Sequence, residues 1–131
     1  MAKLLATALL LASLTSATAG VRVIDGDTIE LDGEKIRLIN IDTPETFRPR
    51  CERERQWGEA AKARLIELLA GPDELTVVRE KQDYFMRTLA YILKGDQDLG
   101  EQLVVEGLAI PWKSGSKAKA ARLRKWCEEP K

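Results

Sequence analysis

Apolar and polar positions alternate through the stretch that follows residue 20. Val21, Val23, Ile24, Ile29, Leu31 and Ile36 stand among charged neighbours, and two Asp-Gly pairs, Asp25-Gly26 and Asp32-Gly33, punctuate them. Asp-Gly between alternating segments is a strong hairpin signal, because both residues tolerate the positive φ of a tight turn. The pattern predicts a three-stranded antiparallel meander over about residues 20–42, stopped by Pro44. The loop TFRPRCE then leads into helical spacing, with Trp57, Ala61, Leu65, Leu68 and Leu69 on one face of a helix from about residue 52 to 70. Gly71-Pro72 supplies its stop. Two more β-rich runs follow, ELTVVRE at 74–80 and RTLAYIL at 87–93. Asp98 with Glu101 three residues later forms a capping box for a short helix ending at Gly107. Ser116 is placed to cap a last helix that carries Ala120, Leu123 and Cys127 on one face.

Five strands and about three helices suit an α+β chain built on a small five-stranded Greek-key barrel of the oligonucleotide-binding (OB) type, although a split sheet with helices on one face satisfies the same count. A length of 131 residues with 44% apolar content makes this one domain. Residues 1–19 break the pattern: one early lysine, a mostly apolar run over 4–14, and Ala17-Thr18-Ala19 as a small-residue cleavage site. They are expected to be a removed leader, with residues 20–131 as the folded domain. A retained membrane anchor is the weaker reading, since the apolar run falls short of the roughly 18–20 residues that spanning requires. The expectation is therefore a secreted or periplasmic monomer with no stable membrane association.

Export decides how the two cysteines are read. In an oxidising compartment Cys51 and Cys127 are expected to form a disulfide, worth about 4–5 kcal/mol at most in the chain-entropy model. The absence of histidine excludes a Cys/His dyad and a mixed Cys/His zinc site, so acid/base chemistry must use carboxylates, lysine, tyrosine or metal-bound water. The 21 basic and 21 acidic residues cancel, which gives no global attraction to nucleic acid. Locally, Lys113, Lys117, Lys119, Arg122, Arg124 and Lys125 follow one another with no acid between them, as either a phosphate-attracting face or a solvated helix flank.

The stretch RLINIDTPE at 37–45 carries the candidate chemistry. Arg37 sits among apolar neighbours and needs an acidic or strongly accepting partner if buried. In a meander, the turn at Asp27 and the end of the third strand at Asp42 approach the same mouth of the sheet. Two carboxylates there suit a hard cation such as Ca²⁺, which takes oxygen ligands that include backbone carbonyls. Each residue also has a plainer reading: Asp27 as a turn residue, Asp42-Thr43-Pro44-Glu45 as a strand terminator, Arg37 as a structural ion pair.

VIDGDTIEL at 23–31, RLINIDTPE at 37–45, RTLAYIL at 87–93 and LVVEGLA at 103–109 resemble, in order and spacing, successive blocks of the staphylococcal nuclease (thermonuclease) family. The resemblance implies a five-stranded OB barrel with added helices, and hydrolysis of DNA and RNA phosphodiesters with Ca²⁺. It implies that Asp27 and Asp42 are calcium carboxylates, that Thr43 offers a backbone carbonyl, that Glu45 activates or positions the attacking water, and that Arg37 and Arg87 grip the scissile phosphate. Arginine suits that last role because its planar fork matches two phosphoryl oxygens. General-base help of about 10²- to 10⁴-fold leaves most of the rate to electrostatic stabilisation and positioning.

Two departures from the family pattern stand out. Where relatives commonly place Tyr-Gly-Arg, this chain reads Tyr84-Phe85-Met86-Arg87, which displaces the tyrosine and replaces the glycine next to Arg87. After residue 109, Trp112 is the aromatic that either stacks on a base or packs under the last helix. The leading expectation is a Ca²⁺-dependent nuclease of little sequence specificity, acting on DNA and/or RNA that is single-stranded or unstructured. The alternatives are a non-catalytic OB-fold nucleic-acid-binding module and an enzyme of small phosphodiesters.

Overall fold

A computed structural model describes residues 20–129; the leader expected over 1–19 lies outside the described residues, as do 130–131. The elements are β1 (Val21–Asp25), β2 (Thr28–Leu31), β3 (Glu34–Leu38), β4 (Ile41–Asp42), α1 (Glu52–Leu69), β5 (Leu75–Gln82), β6 (Thr88–Lys94), β7 (Gln97–Asp98), α2 (Leu99–Val105), β8 (Ile110–Pro111) and α3 (Ser116–Leu123). The chain leaves α3 through a π-helical turn, Arg124–Glu128.

The main sheet has the order β1-β2-β3-β6-β5, with β7 added to β6, while β4 and β8 pair separately. The first three strands are antiparallel, as their alternation predicts. β3 and β6 run parallel, so the chain must cross over between them, and α1 with β5 makes that crossover. With its helices this is an OB-like α+β architecture in which, among the described residues, the ladder is an open path from β1 to β5. Ile29, Ile36, Leu38, Ile41, Leu65, Ala90, Ile92, Leu99, Leu103 and Ala109 form the core.

The two Asp-Gly pairs serve different ends. Asp32 (φ 48°) and Gly33 (φ 84°) both take the left-handed conformation of a tight hairpin. Gly26 is needed for space: a Cβ there would lie 2.8 Å from the Ala61 Cβ and 3.0 Å from the Thr43 Cγ2, so the turn packs against α1 only without a side chain.

The third strand is shorter than the meander expected, ending at Leu38 and not at Asp42. Asn40 turns the chain away. Its Nδ2 donates to both Asp98 carboxylate oxygens, at 3.2 and 3.3 Å, and its carbonyl accepts the Trp112 N–H at 3.0 Å. Ile41 and Asp42 consequently pair with Pro111 and Ile110 instead of continuing along the sheet.

Helix α1 buries Glu54, Gly58, Ala61 and Leu65. Asp98 caps α2 as the capping box predicts, its Oδ1 accepting the Glu101 N–H at 3.0 Å. The cap of α3 is Gly115 and not Ser116, which is already the first helical residue and makes no side-chain cap bond. Cys51 and Cys127 are disulfide-bonded, joining the N-cap of α1 to the C-terminal turn. Beside the bond, the buried Trp126 meets Trp57 edge to face, ring centroids 5.2 Å apart.

Candidate active site

Three backbone segments converge at one end of the sheet: the β1–β2 turn with Asp25 and Asp27, the outer end of β3 with Arg37, and β4 with its continuation to Asp42, Thr43 and Glu45. Backbone bonds set their spacing, the Asp27 carbonyl accepting the Leu38 N–H at 2.8 Å. Asp27, Asp42 and Thr43 are all buried. The Arg37 Nη2 reaches Asp27 Oδ2 at 3.3 Å and Asp42 Oδ1 at 3.2 Å, and its Nη1 donates to the carbonyls of Leu38 and Ile41 at 2.8 and 3.1 Å. The part-buried guanidinium that the sequence singles out thus has two carboxylate partners.

Two members of the cluster carry no signal in the spacing of RLINIDTPE. Asp25 accepts the Asp27 N–H on its Oδ1 at 3.2 Å, and its carboxyl is pushed up to about 7 by burial first and then by the negative charge of Asp27. Arg122, from α3, holds Asp42 Oδ2 through its Nε at 2.8 Å. It also donates from Nη1 to the Lys113 carbonyl at 3.0 Å. The basic run of the C-terminal segment is therefore divided: Arg122 turns inward, while Lys113, Lys117, Lys119 and Arg124 stay exposed. The only sequence signal for Asp25 is the repeated acid of Asp-Gly-Asp; for Arg122, 80 residues from Asp42, it is the basic run, which does not point to that partner.

The charge balance of this cluster bears on a cation. Asp25, Asp27, Asp42 and Glu45 face Arg37 and Arg122, so negative charge is in excess. Burial and the Asp27 charge hold Asp42 above the ordinary carboxyl range, against the pull of Arg122, Arg37 and Arg50. Glu45 is also raised, by lost hydration and then by Asp27, Asp42 and Glu54. Its side chain is open to solvent, so repulsion is the sturdier cause. An all-oxygen, overly negative cluster fits a hard divalent cation, whose shell accepts carboxylates, carbonyls and water. Among the described residues, the trio of ligand-type side chains with donor atoms all within 4.8 Å of one another is Cys51, Glu54 and Cys127, and its sulfurs are bonded to each other. Asp27, Asp42 and Glu45 do not close that tightly.

Beside the acidic cluster lies a cleft of about 260 Å³ lined by Arg37, Ile39, Lys81, Asp83, Arg87, Leu89 and Trp112. Arg37 belongs to both. Trp112 is half exposed in the cleft wall. The cleft also shows how Arg87 is held without the usual neighbouring glycine. Met86 keeps a left-handed backbone, φ 64°. Asp83 secures the turn, its Oδ1 accepting the Phe85 and Arg87 amides at 3.0 and 2.9 Å and its Oδ2 accepting the Arg87 Nε at 2.8 Å. These bonds hold Asp83 below the ordinary range although burial pushes the other way. Tyr84 is almost fully exposed at the tip of the loop.

Residue 54 is a position that the sequence does not flag. Glu54 is completely buried and belongs to α1, yet its carboxylate faces the segment that follows Glu45. Burial alone would raise it, but bonds from the Arg50 side chain and from the Arg50 and Glu45 amides leave it below the ordinary range.

Residues 35–131 match the family model described as staphylococcal nuclease homologue. That match begins after Asp27 and takes in Arg37, Asp42, Thr43, Glu45 and Arg87. The chain is 42% identical over 93 residues to the thermonuclease of Staphylococcus intermedius, an alignment covering 67% of this chain and 55% of that protein. It is 37% identical over 93 residues to the thermonuclease of Staphylococcus hyicus, covering 68% and 55%. To endonuclease YncB of Bacillus subtilis it is 38% identical over 95 residues, covering 67% and 44%. The chain thus spans about half the length of the relatives it matches. With the family model covering most of the sequence, the chain belongs to the staphylococcal nuclease homologue family.

Proposed function

We propose that the chain is a Ca²⁺-dependent nuclease that hydrolyses phosphodiester bonds of single-stranded or unstructured DNA and/or RNA with little sequence specificity. The observation that carries this reading is the double membership of Arg37, which joins the acidic cluster to the cleft that holds Arg87 and Trp112. The thermonuclease and endonuclease names of its relatives support the same reading.

Asp27, Asp42 and the Thr43 carbonyl would hold the cation. When bound, the cation neutralises charge that gathers on the phosphoryl oxygens. The chain's own residues supply the rest. Arg37 and Arg87 both line the cleft, where their positive charge would stabilise the charge that develops on a bound phosphate. The Nε of Arg87 is already committed to Asp83, which fixes the plane of the guanidinium and aims its terminal nitrogens. Glu45 accepts the proton of the attacking water on a carboxylate oxygen, and its raised proton affinity favours that role. Trp112 offers a face on which a base stacks.

The disulfide and the leader pattern support work outside the cytoplasm, secreted or periplasmic, as a monomer after removal of residues 1–19. No helix among the described residues is long and apolar enough to cross a membrane.

Incubating the purified domain with single-stranded DNA, with Ca²⁺ and with EDTA, tests the reading. Cleavage is expected with Ca²⁺ and not with EDTA, and full hydrolysis in EDTA would overturn the cation's part. Glu45→Gln is expected to lower kcat by about 10²- to 10⁴-fold with the fold intact. A non-catalytic binding module is the second reading, favoured by the four protein bonds that already occupy Arg37. Retention of the DNA with no cleavage under any condition would establish it.

A further inference from the structure

Helix α1 meets the Glu45 segment at two places one turn apart. The Glu54 Oε1 accepts the Glu45 N–H at 3.4 Å and the Arg50 Nη2 at 3.0 Å, while Oε2 accepts the Arg50 N–H at 2.8 Å and the Arg50 Nε at 3.0 Å. All four donors come from residues 45–50, so this carboxylate closes the loop that Glu45 begins. At Gly58, four residues on and on the same helical face, an added Cβ would lie 2.8 Å from the Pro44 carbonyl oxygen, 2.9 Å from the Thr46 Cγ2 and 3.0 Å from the Glu45 carbonyl oxygen. The Glu45 amide is therefore held to α1 by a bond, and the Pro44 and Glu45 carbonyl oxygens lie against it by close approach.

We propose that Glu54 and Gly58 are positioning residues for Glu45: the first clamps its amide, the second lets the helix seat its backbone, and together they hold an exposed side chain in a fixed place beside Asp27 and Asp42. Residues 43–51 contain no strand or helix of their own, and such loops ordinarily move more than the elements they join. A buried carboxylate is also a poor choice for packing alone, since an apolar residue of similar size commonly serves as well. The bonds to the loop give its presence a reason.

The consequence for turnover rests on the reading of Glu45 as the group that takes the proton, so the test has one arm independent of cleavage. Amide hydrogen exchange at Glu45, followed by NMR in Glu54→Ala, is expected to lose protection by about tenfold or more while the core strands keep theirs. Unchanged protection would overturn the clamp. In the second arm, kcat and KM are measured on single-stranded DNA with Ca²⁺. Glu54→Ala and Gly58→Ala are expected to lose about 10²-fold in kcat with KM within about threefold, the signature of a displaced reacting group. Gly58→Ala strengthens the helix intrinsically, so a loss of kcat with α1 still folded by circular dichroism is not a loss of helix. Glu54→Gln keeps an oxygen for the Glu45 amide and should recover most of the rate. Full kcat in a variant whose Glu45 amide has lost protection, or a Glu54→Gln variant as impaired as Glu54→Ala, would overturn the proposal. If the unaltered chain does not cleave at all, the nuclease reading falls and the exchange arm alone decides whether α1 seats Glu45.

Discussion

Met86 holds a left-handed backbone next to one of the two arginines of the cleft. For a residue with a Cβ that conformation costs about 1–2 kcal/mol, and it persists here because the Asp83 carboxylate gathers the Phe85 amide, the Arg87 amide and the Arg87 Nε on the same turn. The sequence marks position 86 as a departure and raises the prospect of a changed backbone. The structure gives Met86 a left-handed backbone, with the bonds of Asp83 set against its strain. Met86→Gly is therefore expected to stabilise the domain by about 0.5–1 kcal/mol, after the extra chain entropy of glycine is set against the relieved strain, and to raise the melting temperature by a few degrees in thermal circular dichroism. A lower melting temperature would show that the methionine side chain contributes more than its backbone loses. Asp83→Ala should lower activity by freeing Arg87 to turn away from the cleft, and comparison of KM with kcat for the variant would register a phosphate held less well.

Among the elements, α1 braces the loop that carries Glu45, and that contribution is only half legible in the sequence. Its length, its stop at Gly71-Pro72 and its apolar face at Ala61 and Leu65 follow from periodicity, which reports what a helix packs against the core. Periodicity is silent about Glu54 and Gly58, because a charged residue and a glycine on the inner face look like interruptions of the pattern until the loop they hold is in place. The same limit applies to Arg122, whose partner Asp42 is distant in sequence, and to the end of β3, where a side-chain bond from Asn40 to Asp98 overrides an apolar run that otherwise reads as continuous strand. Asp27, Asp42, Thr43 and Arg37 were legible because strand turns bring near neighbours together. The disulfide is the other device at this scale, tying the N-cap of α1 to the turn beyond α3. Replacing Cys51 and Cys127 together by alanine is expected to lower stability by up to about 4–5 kcal/mol, read from urea unfolding. Because the same bond brings Trp126 onto Trp57, the quenching environment of the tryptophans should change at lower urea than the far-ultraviolet signal if the C-terminal turn detaches first.

Over the whole molecule, formal charge sums to zero, yet one end of the sheet concentrates negative charge, and this separation makes stability depend on pH and on cations together. Asp25 is pushed up to about 7 from an ordinary value of 3.8, and Asp42 and Glu45 are raised as well. A carboxyl whose folded value is raised binds its proton more tightly in the folded chain than in the unfolded one. Its contribution to stability is complete below the unfolded value and is lost as pH rises through the folded one, so for Asp25 the loss runs from about pH 4 to about pH 7. If these carboxylates hold the proposed cation, its charge would offset theirs once the protons have left, and it would stabilise by mass action according to its concentration over its dissociation constant. The melting temperature without divalent cations is therefore expected to fall between pH 5 and pH 8. Added Ca²⁺ should raise it strongly at pH 8 and little at pH 5, where protons compete for the same oxygens. Asp27→Asn and Asp42→Asn should each remove most of the Ca²⁺ response. Mg²⁺, smaller and more reluctant to shed water, should stabilise less than Ca²⁺ at equal concentration if the cluster stays as open as it stands. A Ca²⁺ response equal at both pH values would mean that the cation binds elsewhere and that the excess charge at this end of the sheet is neutralised by some other group.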